Sequence, residues 1–325
     1  MDKKTVKKYT VLALCLILVL AAIVMSVNVR GFSAGAGKGK SETVSNLSAF
    51  AELLGDGTIL SPLAETADVS AKTFPNMTLK MSFSHYKAVG YGFLGTPTSI
   101  QCDMTAYLTE NEALYDIELT YSATQAGIYA TMEIYSNQER TLIRFERVFG
   151  SVAGDPFVFP DILLGKWLDI AEVDLSHILD LSSFPMEKSL ATFAISTHIV
   201  RDYQANGFSH KGQKYTMNPT LFNHFGAQIF LLEGLSIDEE PGYNEEYNGH
   251  FKIDLTSKKS PKISFTLKAQ QTVIDPRFSI ETARSQLVDT VEYTFCNIGN
   301  TAIKMPKNLK TVGADQFNSY MEALQ

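Results

Sequence analysis

From Thr78 onward apolar residues recur at every second position: Leu79, Met81 and Phe83; Ile100, Cys102, Met104, Ala106 and Leu108; Tyr115, Ile117 and Leu119; Ile128, Ala130, Met132 and Ile134. A period of two sends such residues to one face of a pleated strand, and with Thr141 to Val148 the pattern predicts five successive strands in an antiparallel meander. Elsewhere the period lengthens. Val44, Leu47, Phe50 or Ala51, and Leu54 stand at helical spacing before Gly55-Asp56-Gly57, so Ser41 to Leu54 reads as a helix with one apolar stripe to lay on a sheet. Two more helices are predicted. One runs from Met186 to Asn206, carries Leu190, Phe193, Thr197 and Val200 on one side, and stops at Asn206-Gly207; the other opens at Asn218-Pro219, buries Leu221, Phe225, Ile229 and Leu232, and stops at Gly234. Short strands fall at Lys166 to Ile170, around the chain's single tryptophan, and at Gln213 to Asn218. Three longer strand-like runs close the chain at Gly249 to Ser257, Lys262 to Gln271 and Val288 to Met305, the last folded into a hairpin at Asn297-Ile298-Gly299-Asn300. Strands, then helices, then strands again make an α+β class: one large antiparallel sheet with helices on one side.

One stretch obeys neither period. Tyr9 to Val29 carries no charge, and about twenty such residues at roughly 1.5 Å each cover a hydrocarbon core of roughly 30 Å. Lys3, Lys4, Lys7 and Lys8 precede it against one acid, Asp2, so the positive-inside bias keeps residues 1–8 cytoplasmic and exports the C-terminal bulk of the chain. The chain then divides into a short tail (1–8), a transmembrane signal-anchor (9–29), a Gly-rich tether (30–40) and an extracytoplasmic domain (41–325). A cleaved export signal is the alternative, with Ala34-Gly35-Ala36 as its exit and a secreted product. The length of the apolar run, and Arg30 between it and that exit, favour the anchor. Both readings place the same domain outside, on a cell membrane or released from it.

Charge narrows the partners. The whole chain holds 28 Lys and Arg against 35 Asp and Glu; residues 1–30 take five of the basic residues and one of the acidic, so the exported part is strongly acidic and nucleic acid is not an expected partner. Outside the anchor only Cys102 and Cys296 remain, and their neighbours alternate on different patterns, which points to two free thiols. Gly31-Phe32-Ser33-Ala34-Gly35 matches a nucleophile elbow but lacks the strand before it and the helix after it. Gly90-Tyr91-Gly92-Phe93-Leu94-Gly95 matches a dinucleotide-binding pattern, yet Thr96-Pro97 follows where a helix is needed, so it reads as a hairpin loop. The six histidines, 85, 177, 198, 210, 224 and 250, show no zinc spacing, and Asp238, Glu239, Glu240, Glu245 and Glu246 read as a solvated acidic loop rather than a Ca²⁺ site. No nucleophile and base, metal set or cofactor can be named, so an enzyme is not expected.

Three local features, Gly165-Lys166-Trp167-Leu168 after the meander, Gly212-Gln213-Lys214-Tyr215-Thr216-Met217 leading into a helix, and Tyr293-Thr294-Phe295-Cys296-Asn297-Ile298-Gly299 closing with Ile303-Lys304-Met305-Pro306, stand in an order of elements that resembles the LolA-like carriers of lipoproteins and lipids, including the LppX and LprG type. The resemblance spans about residues 41 to 310. It implies a curved antiparallel half-barrel with helices on its concave face and a lipid, acyl chain or lipidated partner as ligand. A helix anchor departs from those carriers, which are free or lipid-anchored, and argues against shuttling between membranes. Met81, Met104 and Met132, with Phe83, Ile134 and Trp167, form the expected apolar ligand face, since flexible, polarizable thioethers suit varied apolar ligands. The alternative is an envelope sensor or scaffold that binds a protein or cell-wall component without a lipid cavity.

Overall fold

The structure is a computed structural model that describes residues 44–54, 76–91, 96–109, 112–137, 140–157, 161–169, 199–200, 202–203, 206–224, 243–275, 280–305, 309, 311–313 and 315–319. The anchor, the tether, most of the helix expected from Met186 and the second helix beyond His224 lie outside them. No helix among the described residues is long and apolar enough to cross a membrane.

The chain is mostly strand, arranged in one large, curved, unclosed sheet with few helices. The strands are β1 (Met77–Tyr91), β2 (Thr96–Leu108), β3 (Glu112–Ala123), β4 (Ala126–Asn137), β5 (Thr141–Val152), β6 (Asp155–Phe157), β7 (Trp167–Asp169), β8 (Phe208–Lys211), β9 (Lys214–Met217), β10 (Tyr243–Asp254), β11 (Lys262–Asp275), β12 (Ile280–Cys296) and β13 (Thr311–Val312). Across the sheet they lie in the order β13-β7-β5-β4-β3-β2-β1-β12-β11-β10-β9-β8, with β6 beside β5. The predicted meander is present as β1 to β5. A second antiparallel set, β8 to β12, joins it where β12 pairs with β1 from Thr78↔Cys296 to Tyr91↔Ala283. Among the described residues, β13 runs parallel to β7, and an isolated parallel bridge joins Phe145 to Leu164.

Helix α1 (Leu47–Leu54) is shorter than Ser41 to Leu54, because Asn46 caps it: the Ala49 N–H donates to Asn46 Oδ1 at 2.8 Å. Its stripe of Leu47, Phe50, Ala51 and Leu54 is buried as the spacing requires, and Phe50 meets Phe295 of β12 edge to face, ring centres 5.3 Å apart. The helical residues 219–224 begin as expected, with the Thr220 N–H donating to Asn218 Oδ1 at 2.9 Å. Phe222 is the side chain this turn buries; Leu221 is only half-buried. Phe222 lies over Gly249 of β10, where a Cβ would stand 2.8 Å from its ring and 1.9 Å from the Thr266 carbonyl oxygen.

Several strand boundaries differ from the pattern: β11 runs on to Asp275 and β12 begins at Ile280 rather than Val288. β10 starts at Tyr243, so Glu245 and Glu246 are paired strand residues opposite Gln271 and Gln270 rather than loop. The expected hairpin within Val288 to Met305 stops at its turn, with Asn297 and Gly299 both at positive φ, and residues 301–305 are not strand. The reason is that β12 already has β1 on one side and β11 on the other, leaving no edge for a returning strand. Thr301 bonds instead to the start of β1: its N–H donates to Asn76 Oδ1 at 2.6 Å and its hydroxyl pairs with that of Thr78 at 2.9 Å.

Candidate functional site

Alternation along each strand and the register between strands together build continuous rows across the sheet. One runs Phe145–Met132–Ile117–Met104–Met81–Tyr293–Ile263–Ile253, crossing from β5 to β10 through both halves. Beside it runs Val148–Ala130–Leu119–Cys102–Phe83–Val291–Phe265–Phe251. On the other side runs Ile143–Ile134–Tyr115–Ala106–Leu79–Phe295. All these side chains are buried except Val148, which is half-buried, and α1, Val200, Met217 and Phe222 join the same core. Met81, Met104 and Met132 therefore share one row, with Phe83 and Ile134 in the rows that flank it.

Trp167 is not among them. It pairs with Arg144 of β5, whose side chain points to the opposite face, and it is buried there with Tyr135 and Leu142 under Ile303, Met305 and Leu309. The Arg144 guanidinium lies 5.0 Å from the centre of its ring and pairs with Glu133 and Glu146. Trp167 is thus part of a small second core where the C-terminal segment crosses the sheet.

Sequence reasoning passed over two polar features on the apolar face. His85 and Asp289, opposite each other on β1 and β12 and 4% and 2% exposed, are joined by a 2.6 Å hydrogen bond between His85 Nδ1 and Asp289 Oδ1. Tyr115, 1% exposed, has a hydroxyl with no hydrogen-bond partner among the described residues. Leaving such a group unpaired costs about 1–3 kcal/mol. The signal for His85 and Asp289 was available in the sequence, as polar residues at in-facing positions of alternating strands. Cys102 lies on this face and Cys296 on the other, opposite Phe83 and Thr78 with β1 between them, and both are free, as expected. Burial, helped by Asp103, pushes the Cys102 thiol up to about 12, so it is an inert structural thiol.

The opposite face is polar and carries an acidic cluster. Asp103 faces Glu118, and Asp116 faces Glu133; these four, with Glu146, Glu292 and Lys80, line an open depression of about 540 Å³. Burial raises the Asp116 carboxyl against the hydrogen bond from Tyr107 and the pull of Arg144. Burial also raises Glu133, with Asp116 and Glu146 adding to it and Arg144 opposing. Among the described residues no group of acidic, histidine or cysteine side chains is placed to hold a metal ion.

Fold and faces together define a mostly β protein with one curved open sheet, apolar on one face and polar on the other, with an acidic depression. No protein-family model matches the chain. No curated protein matches it. Among solved structures, the crystal structure of Neisserial surface protein A (NspA) is similar at 3% identity and a TM-score of 0.20, over 66% of this chain and 95% of that one. A likeness at that score carries no argument about fold or function.

Proposed function

We propose that the chain is a membrane-anchored extracytoplasmic protein, not an enzyme, whose half-barrel holds a lipid, an acyl chain or a lipidated partner between its methionine-bearing face and helices laid on it. The observation that supports this reading is the row Met132–Ile117–Met104–Met81, three thioethers in four neighbouring positions at the centre of the apolar face. Such side chains repack around a flexible chain, and each methylene taken from water adds about 0.8 kcal/mol. No charged group is needed to bind an apolar tail. The uncharged run Tyr9 to Val29 supplies the anchor in this reading and keeps the ligand face close to the lipid surface.

A second reading, a sensor or scaffold module for a protein or cell-wall component, is favoured by the acidic depression on the other face, which suits a cationic partner and needs no lipid. Native mass spectrometry of the purified full-length chain, alone and with Met104→Trp or Met132→Trp, separates the two. The lipid reading expects co-purifying lipid in the parent, much less in the variants, and melting temperatures within a few degrees of each other. A parent without lipid, and variants destabilised by about 1–3 kcal/mol from overpacking, would sink it.

A further inference from the structure

We propose that the Tyr115 hydroxyl is the polar anchor of the lipid-binding face, donating a hydrogen bond to the carbonyl oxygen of an acyl ester whose chain lies along the methionine row. The inference rests on the lipid reading and names the group of the ligand that the face selects. Tyr115 stands in the row next to the methionines, two residues along β3 from Ile117, and its cross-strand partners are Ala106 and Ile134. Ala106 and Ala113 beside it are small and, like Tyr115, buried. Its hydroxyl is both buried and unpartnered among the described residues, whereas His85 and Asp289, also on this face, bond to each other.

The chemistry of the phenol restricts what it can take. Burial raises its pKa, so it remains a neutral donor. A neutral donor in apolar surroundings suits a neutral acceptor on an otherwise apolar molecule, which is what an ester carbonyl at the head of an acyl chain offers. A fatty-acid carboxylate would bring an unpaired charge to the same place, and an alkyl ether would bring a much weaker acceptor.

The test compares 1-palmitoylglycerol with 1-hexadecylglycerol, its ether analogue, on the delipidated full-length chain and on Tyr115→Phe. The wild type should bind the ester about tenfold tighter than the ether, and Tyr115→Phe should bind both with the ether's affinity. Without lipid, Tyr115→Phe should melt at or above the wild-type temperature, since it removes an unpaired buried hydroxyl. An unchanged ester preference in Tyr115→Phe, or equal affinities in the wild type, overturns the inference while the lipid reading stands. A lower melting temperature in lipid-free Tyr115→Phe also overturns it, because the hydroxyl then has an acceptor within the protein. If the wild type binds neither lipid, the lipid reading fails and takes this inference with it.

Discussion

The two faces of the sheet are made from alternate residues of the same strands, and they solve opposite problems. On β1, Met81 and Phe83 are buried while Lys80, Ser82 and Ser84, which alternate with them, are exposed. On β3, Ile117 and Leu119 join the apolar rows while Asp116 and Glu118 line the acidic depression. The buried face gains its stability by excluding water, and like charges facing each other across strands, as Asp103 does Glu118, are tolerated on the other face because solvent screens them. Each face can vary without disturbing the other, since a substitution at one position leaves the next residue's side of the sheet untouched.

Neighbouring residues test that independence most severely. Phe83→Ala should cost about 3–5 kcal/mol, because Phe83 is 1% exposed in a row with Cys102 and Val291. Ser82→Ala, one residue away on the exposed side, should stay within about 0.5 kcal/mol. Urea denaturation of the full-length chain measures both. Comparable losses would mean that the faces are coupled.

A smaller contrast separates two glycines. Gly249→Ala forces a methyl into the Thr266 carbonyl and the Phe222 ring, so it should destabilise by about 1–3 kcal/mol and loosen the helical turn at 219–224 from the sheet. At Gly127 a Cβ would meet only the Tyr121 carbonyl oxygen, at 3.9 Å, so Gly127→Ala should be neutral or slightly stabilising. Thermal melts of the two variants side by side check the pair. If Gly249→Ala melts like the parent, the contact between Phe222 and the sheet is not what fixes that helix.

Strands β1 to β4 were legible because a face buried by one core leaves a clean period of two, and the cap at Asn218 was legible because Asn before Pro has one good local use. What the pattern hid was set by pairing. β5 carries a bulge opposite Thr131 and Met132, so Phe145 and Val148 both face inward across an odd spacing and the alternation breaks. Glu245 and Glu246 argue against a strand by propensity, but backbone pairing with β11 overrides that weak preference. Trp167 was expected on the same apolar face as the methionines, although alternation in Trp167-Leu168-Asp169 already sets Leu168 and Trp167 on opposite sides, and Leu168 is the one in the main core. That the Tyr115 hydroxyl lacks a partner could not be read at all, because satisfaction depends on what three-dimensional packing brings within reach.

The smallest expected effect distinguishes the faces by pH. Burial raises Asp116 and Glu133 above their ordinary values, so in the window between the unfolded and the raised folded values the native state binds more protons than the unfolded chain. Stability linked to these two groups therefore falls as pH rises through that window: the penalty is fully present above the folded values and absent below the unfolded ones. Both groups are only partly buried, so screening keeps the effect small. Asp116→Asn removes one of the two, and it also relieves Glu133, whose carboxyl Asp116 helps to raise. Melting curves from pH 4 to 7 should show the variant gaining on the parent as pH rises, with the difference vanishing at the acid end. Groups common to both proteins that Asp116 does not influence drop out of that difference. Two curves that stay parallel across the range would mean that the acidic face carries its charge without strain, and that its depression is no more poised for a cation than any other solvated surface.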